Sequence, residues 1–201
     1  FNAPETYMDK IAISASEKNI VDLDNTVTKN IKNLAEHKNT RPENLTACLL
    51  NRPRHKKHIE ELKDLNVKLK LISDGDVSGA LLVTKDEYNI DIFLGIGGGP
   101  EGVLAASALD AYGCFFQGKF LFDKDEDKLR AKKIGIENFD KKYELNEIIR
   151  GDSIFCATGI TNNDFLNGII FENNNYISET LVTHKNSNFS KIIKNTNLIN
   201  E

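Results

Sequence analysis

Between residues 46 and 112 the chain repeats one pattern three times: a short apolar run, a polar break, and a longer run with helical character. The apolar runs are TACLLN (46–51), VKLKLIS (67–73) and IDIFLGI (90–96). The runs that follow are RHKKHIEELKDL (54–65), VSGALLVTK (77–85) and GPEGVLAASALDAY (99–112). Short apolar, β-rich runs of this length read as strands. Helical crossovers between such strands leave few arrangements open, and the pattern predicts α/β layering around a mainly parallel sheet. Further strands are expected at KIAISA (10–15), GKFLF (118–122) and SIFCATG (153–159). Further helices are expected at TVTKNIKNLAEHK (26–38), capped by Asn25 or Thr26, at EDKLRAKKIG (126–135) and at LNEIIRG (145–151). The stretch NGIIFENNNYISETLVTH (167–184) reads as an antiparallel C-terminal hairpin turning at Asn173 to Asn175.

The charge balance narrows the function. With 26 basic and 30 acidic residues and a net charge of -4, the chain lacks the electrostatic footprint of a nucleic-acid binder. No apolar run approaches the ~18 residues that a membrane span requires. Cys48, Cys114 and Cys156 each sit in an apolar run, which predicts buried, reduced thiols and a cytoplasmic setting. The first residue is Phe1, and the expectation is a chain that begins within a longer protein, residues 1–201 forming one α/β unit.

Ligands in α/β sheets gather beyond the carboxyl ends of the strands, so the strand-to-helix junctions carry the functional reading. At NRPRH (51–55), Pro53 biases Arg52 toward extended backbone, and residues two apart on extended chain share a side. Arg52 and Arg54 then form a double fork for phosphate; a solvated loop with a helix-starting proline is the commoner use of such a motif. At SDGDVSG (73–79), Asp74 and Asp76 flank Gly75 after an apolar strand. Carboxylates only accept hydrogen bonds, which suits sugar hydroxyls or a cation; Asp76 reads equally as a helix N-cap. At GIGGGPEG (95–102), Gly97, Gly98 and Gly99 allow close ligand approach and positive φ. Pro100 suits the first helical turn, and the helix start favours anions. Glu101 is either an ordinary first-turn acid or a metal ligand beside phosphate. The turn ATGITNND (157–164) reads as structural. Gly97, Gly99 and Gly102, with Asp123 about twenty residues on, also match the dinucleotide spacing. A nicotinamide-dependent Rossmann-type enzyme is therefore an alternative, against which Glu101 stands as a charge that would repel pyrophosphate.

The segments APETYMDKIA (3–12), NRPRH (51–55), LISDGDVSGA (71–80), GIGGGPEGVLAASAL (95–109), FCATGIT (155–161) and LVTHKNS (181–187) together resemble class II fructose-1,6-bisphosphatase. This is the bacterial GlpX type within the lithium-sensitive sugar phosphatases. The resemblance covers nearly the whole chain, with Gly99 standing where the family usually has Ala. It implies a layered α-β-α-type sandwich and hydrolysis of the 1-phosphate of fructose 1,6-bisphosphate with Mn²⁺ or Mg²⁺. Some members also take sedoheptulose 1,7-bisphosphate. By motif, Glu101 is the implied metal ligand. Tyr7, Arg52, Pro53, Arg54, Asp74, Gly75, Asp76 and Gly98 are the implied substrate-binding residues, with His55 in the same stretch and Lys10 a weaker candidate. A sugar bisphosphate is the implied partner, and a homo-oligomer, dimer or tetramer, the implied assembly. The family's Asp-Pro-x-Glu-Gly-Thr motif is absent: none of the four prolines follows an aspartate. The expectation is therefore the C-terminal, substrate-holding portion of such an enzyme, with a non-catalytic sugar-phosphate-binding fragment as the other outcome.

Overall fold

A computed structural model of the chain describes residues 1–14 and 20–199. The strands are β1 (Tyr7–Ile13), β2 (Thr46–Leu50), β3 (Lys68–Ile72), β4 (Ile92–Gly98), β5 (Phe115–Leu121), β6 (Lys142–Glu144), β7 (Ile154–Thr158), β8 (Ile170–Glu172), β9 (Asn175–His184) and β10 (Phe189–Leu198). The helices are α1 (Val27–His37), α2 (Lys56–Asp64), α3 (Asp76–Leu81), α4 (Gly99–Asp110), α5 (Asp125–Lys133) and α6 (Leu145–Ile148). The β-α-β-α-β-α order expected from residue 46 to 112 is present. So is the hairpin, whose tight turn is Asn173–Asn174, both at positive φ. The last residue of the strand expected over 10–15 lies outside the described residues. Two strands had no sequence expectation, the short β6 and the ten-residue β10.

The first sheet has the order β3-β2-β4-β1-β5-β6. β2 lies parallel to both β3 and β4, and β1 is antiparallel to both β4 and β5. Four of the six strands thus run one way, with β1 and β6 opposed. The second sheet, built on β10-β9-β7 with β8 beside β9, is antiparallel throughout.

Side-chain alternation along the first sheet feeds two cores. Ile11, Ile13, Ala47, Leu49, Ile92 and Leu94 pack against Val27, Ile31 and Leu34 of α1 and Leu62 of α2. The spacing of the α1 residues places them on one helix face. Thr26 begins that helix by accepting from the Lys29 amide at 3.2 Å. On the opposite face Met8, Ala12, Cys48, Phe93, Phe116 and Phe120 pack with Ala80 and Leu81 of α3 and with Ala105, Ala106, Ala108 and Leu109 of α4. Phe155 and Leu181 of the second sheet join this core. The α-β-α sandwich therefore carries an additional sheet layer, and α4 lies between two sheets. This accounts for its small, apolar sequence: an Ala- and Gly-rich helix lets both sheets approach. Cys48 and Cys114 are buried as expected. Cys156 is exposed, because β7 has one uncovered face.

Candidate functional site

The connection leaving β2 crosses by α2 on one face of the sheet, while β4 continues into α4 on the other face. β2 and β4 are neighbours, so a topological switch point lies between their carboxyl ends, which is where such sheets form a ligand crevice. The two strands pair only at Ala47↔Ile92 and Cys48↔Phe93. Beyond Phe93 they splay, and the side chains of the β2 loop take over the fastening.

That fastening converges on one residue. The Arg54 Nε donates to the Ile96 carbonyl at 2.6 Å, and the Ile96 amide donates to His55 Nε2 at 2.8 Å. His55 has no exposed surface. Burial, reinforced by the neighbouring charge of Arg54 and by His58, pushes its pKa down to about 4. The imidazole is therefore neutral near pH 7, as an acceptor must be. Arg54 remains exposed, and its guanidinium carbon lies 5.1 Å from the centroid of the Tyr7 ring. With Nε committed to the backbone and one face to the ring, the two terminal nitrogens are the part of the fork left for an anion. Tyr7 reaches this point because β1 pairs Tyr7 with Gly98.

Arg52 has the extended backbone expected before proline (φ -131°, ψ 150°). Pro53, Arg54 and His55, however, form a 3₁₀ turn, so the shared-side argument from extended chain does not hold for Arg54. Ile96 and Tyr7 orient it instead. His55, grouped with the arginines by sequence, lies beneath them.

The glycine segment differs from expectation. Gly97 and Gly98 belong to β4 and pair with Met8 and Tyr7 of β1, and α4 begins at Gly99 without an intervening turn. Positive φ among the described glycines occurs at Gly75, Gly113 and Gly135, not at residues 97–99. A Cβ on Gly97 would strike the Asp76 carboxylate, whereas one on Gly98 would meet only the exposed end of the Glu101 side chain, which can turn aside. One on Gly99 would sit 2.9 Å from the Pro4 carbonyl. The Gly99 amide donates to the Thr6 carbonyl at 2.7 Å, pinning the start of α4 to the segment before β1. Glu101 stands exposed in the first turn of α4, with Pro100 beside it and Gly98 as an N-cap without a side chain. The dinucleotide spacing is thus filled by protein contacts, and β1 runs antiparallel between β4 and β5.

The next junction supplies two aspartates in different roles. Gly75, not Asp76, is the N-cap of α3, in a left-handed conformation at φ 86°. Asp74 is exposed and accepts from the Gly75 amide at 2.9 Å through one oxygen. Asp76 is the first residue of the helix, and its side chain turns inward to an ion pair with Lys10. Asn163 and Asp164, from the turn after β7, meet this junction around a small cavity of about 40 Å³ that Asp74 and Ser78 also line. Asp164 pairs with Lys70 at 2.7 Å. A larger cavity of about 420 Å³ lies beside the crevice, where Tyr7, Gly98 and Pro100 meet Asp123, Lys124 and Asp127. Neither meeting is visible in sequence, since both depend on β5 and β7 ending near residues distant along the chain. Nearby, burial raises the pKa of Asp9 above the usual carboxylate range, against the opposing charges of His58, Lys10 and Lys119.

The fold and this edge define a layered α/β protein with a crevice at the switch point of its sheet, where Arg54, Tyr7, Asp74 and Glu101 come from separate junctions. The family model "Bacterial fructose-1,6-bisphosphatase, glpX-encoded" matches residues 1–197, and the chain belongs to that family. Relatives include the D-fructose 1,6-bisphosphatase class 2/sedoheptulose 1,7-bisphosphatase of Trichodesmium erythraeum, 34% identical over 212 aligned residues, covering 99% of this chain and 61% of the relative. The protein of the same name from Synechocystis sp. is 34% identical over 206 residues, covering 96% and 60%. That from Thermosynechococcus vestitus is 33% identical over 215 residues, covering 100% and 62%. The chain spans about three fifths of the length of the curated relatives it matches.

The family implies a divalent metal. Among the described residues no group of three or more His, Cys, Asp or Glu is gathered to hold one. Glu101 is a single carboxylate, too few donors to close a metal site by itself. Among the described residues no helix is long and apolar enough to cross a membrane.

Proposed function

We propose that this chain is the substrate-holding portion of a cytoplasmic sugar bisphosphatase. The reaction is hydrolysis of the 1-phosphate of fructose 1,6-bisphosphate to fructose 6-phosphate and phosphate, a gluconeogenic step. The observation that carries the reading is the preset Arg54: its Nε is bonded to Ile96 and its ring partner is Tyr7, which leaves the terminal nitrogens for a phosphate. Arg52, exposed one proline away, adds a second cation. Asp74 has one oxygen on the Gly75 amide and the other available to a sugar hydroxyl. Glu101 contributes one carboxylate toward a divalent cation, Mg²⁺ or Mn²⁺, which supplies charge neutralisation at the phosphoryl group when bound. The names of the relatives support the six- and seven-carbon bisphosphates as substrates. Assembly as a homo-oligomer, dimer or tetramer, belongs to the same reading.

A second reading, binding of a sugar phosphate without turnover, is favoured by one observation: the described residues gather no metal-ligand group. Phosphate release from fructose 1,6-bisphosphate by the full-length protein, with and without Mn²⁺, separates the two. Release under either condition supports the hydrolase. Stabilisation by the ligand without release supports the binding module, and neither effect rejects both.

A further inference from the structure

Lys10 is among the large, fully buried side chains of the described residues, with 1% of its surface exposed. A lysine in that position needs a partner and a reason. The partner is Asp76, the first residue of α3. The reason is written in the glycines around it. Lys10 stands in β1 between Gly95 of β4 and Gly118 of β5, so both lateral neighbours lack side chains. A Cβ on Gly95 would lie 3.1 Å from Asp76 Oδ1. One on Gly97 would lie 2.9 Å from Lys10 Nζ and strike Asp76 Oδ2 directly. One on Gly102 would lie 3.1 Å from Lys10 Cδ. Gly97 thus clears the space of the ion pair itself, while Gly95 and Gly102 make room first for the Phe93 ring and Met8 Sδ and next for the pair, which lies under the strand that ends at Gly98. Among the described residues Asp76 Oδ1 is buried there and meets no donor, and the ion pair with Lys10 is what holds the carboxylate.

We infer that Lys10 is a positioning residue: by holding Asp76 against the underside of β4, it fixes the Gly75 turn and hence the place where Asp74 faces the crevice. The inference rests on the sugar-bisphosphatase reading above and deepens it. The connection is short. Asp76 follows Gly75, whose left-handed turn places Asp74, and the Gly75 carbonyl accepts from the Gly79 amide at 2.8 Å to close the first turn of α3. Releasing Asp76 loosens this turn at its base, and small misplacements of a binding group are expensive in rate.

The test uses Lys10→Met and Gly97→Ala in the full-length protein. The first removes the cation. The second keeps both charges and pushes them apart. Each is expected to raise KM for fructose 1,6-bisphosphate by about tenfold or more while kcat stays within about threefold, and the double variant is expected to be no worse than the poorer single one. A merely structural pair would lower the melting temperature and leave KM unchanged where the protein is folded; that result overturns the inference. If Lys10→Met does not fold, Gly97→Ala carries the kinetic test. Amide hydrogen exchange provides an arm independent of turnover: both variants are expected to speed exchange at Gly79 by about tenfold relative to α1. Unchanged exchange at Gly79 refutes the latch. If wild-type protein releases no phosphate, the hydrolase reading fails by itself, and the exchange result alone decides the role of Lys10.

Discussion

The neutral His55 ties the arginine loop to β4, and acid should untie it. In the folded chain its pKa is about 4, against about 6.5 for an unperturbed imidazole. Between those values the unfolded chain binds the proton that the folded chain refuses, so stability rises with pH across the window. The contribution is fully present above about pH 6.5 and is lost as pH falls toward 4. At pH 4.5 the unfolded form is favoured by a factor of roughly (1 + 100)/(1 + 0.3), or about 2.5 kcal/mol, and at pH 7.5 by almost nothing. Carboxylates titrate in the same range, so the comparison must be with a variant that keeps the acceptor and loses the titration. His55→Gln offers a side-chain oxygen to the Ile96 amide and has no proton to gain. Urea unfolding of both proteins at pH 7.5 and 4.5 is the assay. Wild type should lose about 2.5 kcal/mol more than His55→Gln over that interval. Parallel stability curves for the two proteins would refute the clamp as described.

Three further outcomes follow from the same geometry. Leu109, with no exposed surface between the two sheets, should cost about 3 kcal/mol on replacement by Ala, read as a lower urea midpoint with unchanged slope. Arg54→Lys keeps the charge but cannot bond Ile96 and grip a phosphate together, so KM for the bisphosphate should rise about tenfold or more in a steady-state assay. Burial pushes the Cys48 and Cys114 thiols up to about 12, whereas Cys156 is exposed; a thiol reagent at pH 7.5 should titrate one cysteine quickly and the other two only on unfolding.

Much of the fold follows from local patterning. TACLL and IDIFLGI lack polar alternation because helices cover both faces of their sheet, and the helix over 26–38 keeps its apolar residues on one face. What was hidden depends on pairing between distant segments. β10 carries Lys191, Lys194 and Asn195 among its apolar residues and is exposed along its length, so no burial pattern marks it; its only cue is that it completes a ladder with β9. The strand-to-helix junctions were legible as the places to look, but the arrangement of their side chains was not. Arg54 and Tyr7 stand in separate motifs, and only the β1–β4 register brings them together. The glycines at 97, 98 and 99 suggested ligand approach, whereas Asp76 and Lys10 occupy the space beside Gly97, and Phe120 and the Pro4 carbonyl that beside Gly99. His55 shows the same limit, since its neighbours in sequence are exposed and the residue itself is buried.

In the proposed function a sugar bisphosphate sits at the splayed ends of β2 and β4. A crystal structure of the full-length protein with fructose 1,6-bisphosphate tests it most directly. A phosphate is expected within hydrogen-bond distance of the terminal nitrogens of Arg54, with Arg54 Nε still on the Ile96 carbonyl. A ligand bound elsewhere, with the Arg54 side chain unengaged, would contradict it.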